Sequence, residues 1–208
     1  FIFTIFSCGK TTEENVNDAV SKTNDTIFGS TDGGSSCNNT KAFIVGNAVK
    51  GKNCHPNCPK NKVVIWNLEK CMTVVGESYG VVDATGHNGS IYIADDDGYY
   101  WIVGNSIEKH LLKYSGYKLS EVTGIDVNSN GDVYVAGMVR KKTTDYTAYW
   151  KNGELVKTFN EPKTWYSEKH VAADSNGNVY IPGFRFVSHT TQYSVYWKNG
   201  NMKQLTND

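Results

Sequence analysis

Apolar and polar residues alternate in short runs along most of this chain, and the repeated part carries no helical period. Val133 and Val135 alternate with Tyr134 and Ala136, a period of two that predicts a strand with two differently packed faces. The same alternation returns around Val179, around Ile91 and around Phe43. Asn-Gly pairs punctuate these runs at Asn130-Gly131, Asn152-Gly153, Asn176-Gly177 and Asn199-Gly200. Such pairs supply the positive φ that two-residue hairpin turns require.

The runs are organised as a repeat. GDVYVAG beginning at Gly131 and YWKNG beginning at Tyr149 return as GNVYIPG at Gly177 and YWKNG at Tyr196. Two weaker copies precede them: SIYIAD at Ser90 with Tyr99-Tyr100-Trp101, and AFIVGN at Ala42 with VVIW at Val63. Trp66, Trp101, Trp150 and Trp197 are thereby in phase, and Trp165 falls outside the register. In the third unit, strands are predicted at 122–127, 132–137, 147–150 and 154–159. A strand-only repeat of about 45 residues points to a β-propeller. The predicted fold is therefore all-β, with antiparallel four-stranded blades and about four units present. One such sheet cannot cover both its apolar faces, so blades stack, and the aromatic on each third strand is expected to plug the contact. The first unit lacks a clear first strand unless residues 25–29 provide it. The chain opens on Phe1, and the unit count suggests a piece of a longer ring of roughly six to eight blades. A closed four-blade ring is the other arrangement.

The N-terminal region reads differently. Residues 1–8 form a short apolar run ending at Cys8, too short to span a bilayer. They read as the end of a signal peptide whose Ile5-Phe6-Ser7-Cys8 resembles a bacterial lipobox, making Cys8 the lipidation site. A buried strand with an ordinary cysteine is the alternative. Residues 9–40 are rich in Thr, Asn, Ser, Asp and Gly and read as a flexible polar linker. Residues 41–208 form the repeat domain.

The units quoted above resemble repeats of secreted and lipid-anchored proteins of Bacteroidota-type bacteria. They are also similar to seven-bladed propeller repeats with the signature D-x-x-G-N-x-Y-V-T-G. The resemblance covers about residues 42 to 208. It implies the fold and an exported location, an outer-membrane lipoprotein facing the periplasm or the outside. It implies no catalytic residues.

Charge and cysteines bear on the compartment. The 21 basic and 21 acidic side chains balance, leaving no global field to draw nucleic acid or anionic lipid. A membrane is expected as a partner only through the lipid anchor. With Cys8 acylated, four of the five cysteines remain: Cys37, Cys54, Cys58 and Cys71. Two disulfides, Cys54 with Cys58 and Cys37 with Cys71, fit an oxidising compartment. Cys54, His55 and Cys58 also have the spacing of half a zinc site, but no second pair completes it.

Two oxygen-rich stretches raise the question of calcium. Asp126, Asn128 and Asn130 alternate ahead of Gly131, as ligands do at the start of a calcium loop, yet Gly137 stands where the late carboxylate belongs. A plain turn explains the same residues. Asp95-Asp96-Asp97 reads as a solvated loop tip or a cation-recruiting cluster. Otherwise no cofactor is expected.

Propellers bind where loops of several blades converge. The candidate ligand-binding residues are Trp165, Tyr166, Arg140, Tyr146, His170 and His189. Trp165 and Tyr166 form an aromatic pair, read as part of a long interblade segment, able to stack on a sugar ring or a partner's side chain. Packing between blades is the alternative role. The inner strands carry Asp83, Asp126 and His170, one from each of three units. The expected function is a non-catalytic cell-envelope binding or scaffold module taking a glycan or a protein. A hydrolase or lyase completed by further blades, and a purely structural array, are the competing readings.

Overall fold

The computed structural model describes residues 43–48, 61–67, 72–159, 164–166, 170–186 and 191–205. The lipidation candidate Cys8, the linker, the cysteines Cys37, Cys54, Cys58 and Cys71, residues 25–29 and His189 all lie outside the described residues. The described chain is all-β, in four antiparallel sheets of the blade type. It divides into two compact units, Phe1–Val81 and Val82–Asp208.

The first unit holds blade I: β1 (Phe43–Ala48), β2 (Asn61–Asn67) and β3 (Met72–Ser78), paired in that order. Val45, Val63, Val64 and Ile65 are buried, and Ile44 pairs across from Trp66.

Three blades make up the second unit. Blade II comprises β4 (Val81–His87), β5 (Ser90–Asp95), β6 (Tyr99–Val103) and β7 (Ile107–Leu111). Blade III comprises β8 (Lys118–Val127), β9 (Val133–Lys141), β10 (Thr144–Lys151) and β11 (Glu154–Phe159). Blade IV comprises β12 (Thr164–Tyr166), β13 (Ala172–Ala173), β14 (Val179–Phe186), β15 (Gln192–Lys198) and β16 (Asn201–Gln204). Here β12 and β13 both pair with β14, one beyond the other, and share the place that β8 fills alone in blade III. The interruption falls opposite Pro182, which has no N–H to give a ladder.

Alternation along the strands builds the contacts between these blades. Val133, Val135, Val139, Ala148 and Trp150 of blade III pack with Tyr92, Ala94 and Tyr100 of blade II in one buried cluster. Trp150 is fully buried, and its indole N–H donates to the Lys113 carbonyl just after blade II, at 2.8 Å. Val179, Ile181, Val195 and Trp197 of blade IV pack in the same way with Tyr134, Ala136, Tyr149 and Phe159 of blade III. Trp197 lies against Phe159, their rings 5.5 Å apart. Each in-phase tryptophan of blades III and IV therefore plugs the joint to the preceding blade, as its position in the repeat suggested.

The two halves of the repeat signature are bonded to each other. Asn152 accepts from the Val133 N–H at 2.8 Å through Oδ1 and donates to Asp132 at 3.0 Å through Nδ2. Asn199 does the same with Val179 at 2.8 Å and Asn178 at 2.9 Å. The Asn of KNG thus fastens the start of strand two to the turn between strands three and four. Asn152-Gly153 and Asn199-Gly200 have positive φ at both residues, as does Asn88-Gly89, which makes them two-residue hairpin turns.

Asn130-Gly131 and Asn176-Gly177 are different, and here the structure corrects an expectation. Only the glycine of each pair has positive φ. These connections are longer loops organised by a side chain: Asn128 Oδ1 accepts from the Asn130 and Asp132 N–H groups, both at 3.0 Å. Asp174 takes the equivalent N–H groups of Asn176 and Asn178 at 2.9 and 2.8 Å. A second correction concerns Trp165 and Tyr166. They belong to β12, within the sheet of blade IV, with Trp165 across from Phe184 and Tyr166 across from Gly183. They are not part of an interblade loop.

Candidate functional site: the tyrosine face of blade IV

Each blade of the second unit carries the same three-residue face on strands two and three. In blade II it is Tyr92, Ala94 and Tyr100; in blade III it is Tyr134, Ala136 and Tyr149. Both sets are buried beneath the tryptophan face of the following blade, with exposures of 9, 0 and 3 % and of 2, 0 and 7 %. Blade IV repeats the set as Tyr180, Pro182 and Tyr196, all only half-buried.

A cleft of about 530 Å³ opens there, lined by His170, Val171, Ala172, Tyr180, Pro182, Tyr196 and Leu205. Leu205 sits across from Ser194, as Phe159 sits across from Thr147 in blade III, but Leu205 is 64 % exposed where Phe159 is 8 %. The Tyr180 and Tyr196 rings stand 6.2 Å apart at 35°. The Tyr180 hydroxyl donates to Asp174 Oδ2 at 3.2 Å, and Lys198 Nζ stands over its ring, 5.4 Å from the centroid. Hydrogen bonds, led by the Asn178 side chain, hold the Asp174 carboxyl below its usual range.

The residues marked in the sequence are spread over several places. His170 lines this cleft. Arg140 forms a two-pronged ion pair with Asp145 across the β9–β10 hairpin, at 2.7 and 2.8 Å. Tyr146 packs edge-on against Tyr117, 5.8 Å away, at the margin of the core of blades II and III. These two are therefore engaged within blade III. The residues that line the cleft were not marked, apart from His170. The signal for them was the tyrosine of each VY and YW pair, which alternation had put on a face of its own.

No protein-family model matches the chain, and no curated protein matches it.

The calcium candidates are occupied as turn and joint elements. Asp126 Oδ2 accepts from the Ala173 N–H at 2.8 Å, Asn128 Oδ1 takes two N–H groups as described above, and Asn130 Nδ2 donates to the Ser175 carbonyl at 3.0 Å. Asp126 Oδ2 and Asn128 Oδ1 thus serve the joint and the turn, and Asn130 is engaged through its amide nitrogen. Asn128→Ala is expected to lower stability by about 1 kcal/mol, since two part-buried N–H groups lose their acceptor. Asn128→Asp keeps both acceptors, as Asp174 supplies them in blade IV, and gives up only the long Nδ2 bond to the Asp174 carbonyl at 3.4 Å, so it should lose less than Asn128→Ala. Urea unfolding with calcium and with chelator checks both, and the midpoints are expected to be the same in either.

Asp95 also departs from its expected place at a solvated tip. It is fully buried, accepting from the Tyr99 N–H and from the Trp101 indole, both at 2.9 Å. Burial pushes its carboxyl up, against those two bonds. It fixes Trp101 in blade II. Asp96 is exposed and Asp97 half-buried.

Proposed function

We propose that this chain is a non-catalytic binding and scaffold module of an exported, lipid-anchored envelope protein, and that blade IV holds a protein partner on its tyrosine face. The partner is a blade-type sheet: antiparallel, with a tryptophan on one strand flanked by Val and Ile on its neighbour. One observation carries this reading. The same face on blades II and III lies beneath a sheet of that kind, and on blade IV no sheet among the described residues covers it. Export and anchoring rest on Cys8 and the apolar run before it. No cofactor is required.

A glycan is the second reading, favoured by the paired tyrosine rings beside His170, since aromatic faces stack on sugars. The hydrolase or lyase reading would draw on Asp83, Asp126 and His170. Both carboxylates there are taken up by backbone N–H groups, which fits structural duty better than catalysis.

The test is photocrosslinking of the full gene product in its own envelope, with benzoylphenylalanine replacing Leu205 at the rim of the cleft. The expected product is a crosslink to a peptide of alternating apolar residues that contains tryptophan. Crosslinks to lipid, or none, overturn the reading. An oligosaccharide that raises the melting temperature saturably in the wild type but not in Tyr196→Ala replaces it with the glycan.

A further inference from the structure

The inner strands of blades II, III and IV are joined by carboxylates that neither the cleft nor its partner uses. Asp83 on β4 is 7 % exposed. Its Oδ1 accepts from the Ala84 N–H of its own strand, and its Oδ2 accepts from the Ile125 N–H of β8, both at 3.0 Å. One side chain therefore clasps two blades. Asp126 repeats the device one joint further on, accepting from Ala173 of blade IV at 2.8 Å. Asp126 is half-buried, so water shares its charge, whereas Asp83 is shut in.

Both Asp83 oxygens are held by neutral peptide groups. The charged groups acting on it are His170, just ahead of β13 in blade IV, and Asp126 on β8, and these oppose each other. The strands run close enough for this to matter. At Gly124 of β8, a Cβ would lie 3.1 Å from the His170 Cα, so the missing side chain is what admits the approach. A buried carboxylate without a dedicated cation holds its proton more tightly than one in water.

We propose that the junction between blades II and III is a proton-responsive joint in which Asp83 is the titrating group, secured when that carboxyl is protonated and loosened when it ionises. Burial pushes Asp83 up to about 6, with the Ile125 and Ala84 N–H bonds and His170 pulling the other way and Asp126 adding to the rise. In the unfolded chain the same group titrates at its ordinary 3.8. Between those values the folded protein holds a proton that the unfolded chain has released. The contribution is thus complete below pH 3.8 and is lost as pH rises through about 6. The two values imply a fall of about a hundredfold in the ratio of folded to unfolded protein across that window.

The experiment combines urea unfolding with hydrogen exchange at the Ile125 amide, from pH 4 to pH 7.5, on the wild type and Asp83→Asn. The wild type is expected to lose most of that hundredfold as pH rises, with Ile125 protection falling in step. Asp83→Asn keeps an acceptor for only one of the two N–H groups, so its stability is lower throughout; the readout is its slope, which should be clearly shallower than the wild type's, with the remainder set by the other buried carboxyl, Asp95. His170→Gln is expected to move the wild-type midpoint upward, because it removes the cation that drives the proton off. An Asp83→Asn slope equal to the wild type overturns the proposal, as does Ile125 exchange that ignores pH. Should Asp83→Asn fail to fold, a carbon NMR titration of the Asp83 carboxyl in the wild type decides: a midpoint near 6 supports the joint, and one near 4 removes it.

Discussion

Trp150→Ala is expected to destabilise the second unit by about 4 kcal/mol, the largest loss foreseen for any single side chain here. The residue is fully buried in the joint between blades II and III, surrounded by Tyr92, Ala94 and Tyr100 on one side and by Val135 and Ala148 on the other. Removing the indole opens a void that two hydrogen-bonded sheets cannot close without breaking their ladders. It also strips the Lys113 carbonyl of its 2.8 Å donor. Trp150→Phe separates the two effects: it keeps most of the apolar volume and gives up the hydrogen bond, so its loss should be about half as large. The matched change Trp197→Phe should be milder, because the Trp197 indole N–H has no acceptor among the described residues. Denaturant unfolding followed by tyrosine fluorescence ranks the three. If Trp150→Phe and Trp197→Phe fall together, the Lys113 bond contributes nothing.

Gly137→Ala is expected to lower stability by about 3 kcal/mol, although it adds only a methyl group. Gly137 pairs with Val122 between two irregularities in the β8–β9 register, at Leu119/Glu121 and at Val122/Gly124. These bulges bend β8 over β9, and a Cβ on Gly137 would stand 2.3 Å from the Glu121 carbonyl oxygen and 3.1 Å from the Val122 Cα. Both obstacles are backbone, so relief requires moving a strand that also carries the joint to blade II. Gly46 on β1 is the control. There a Cβ would meet the far edge of the half-buried Trp66 ring at 3.3 Å, a side chain that can yield. Gly46→Ala should therefore change stability by less than about 1 kcal/mol. Thermal and urea unfolding of both variants test this, and equal losses would mean that the bulges do not govern the Gly137 position.

Much of the fold was legible because it is written in local terms. Alternation placed the strands of blades II and III, and the phase of Trp66, Trp101, Trp150 and Trp197 set the unit. The strand ending at Phe159 matches β11, while β8 and β10 begin earlier than the apolar residues alone suggested, since polar residues there still pair. The segment around Trp165 was misplaced because β12 has three residues, too few to show a period, and pairs with β14 only through the topology of the whole blade. Asp95 read as a solvated tip because nothing nearby in the chain announces that an indole N–H six residues on will bind it. The cleft was the harder case. Its tyrosines were visible as a repeated pattern, yet whether a face is covered depends on the next sheet, and no local pattern records that. His170 was marked for its position on an inner strand and does reach the cleft. Arg140 and Tyr146 were marked as loop residues, and a hairpin ion pair and an aromatic contact account for them.

The bond from each KNG asparagine back to strand two has an effect on how the module can vary. Chain direction puts the turn between strands one and two at the same end of the blade as the turn between strands three and four. At that end Asn152 and Asn199 tie the two connections together, so neither can lengthen without breaking the tie. The opposite end has no such clasp in the repeat signature. It carries the connections between strands two and three, which run from two residues at the β9–β10 turn to twelve between β1 and β2. Diversity in blades III and IV therefore has a preferred pole: the rim that the asparagine tie fastens is closed to insertion, and the other is where new loops can be added without disturbing the sheet.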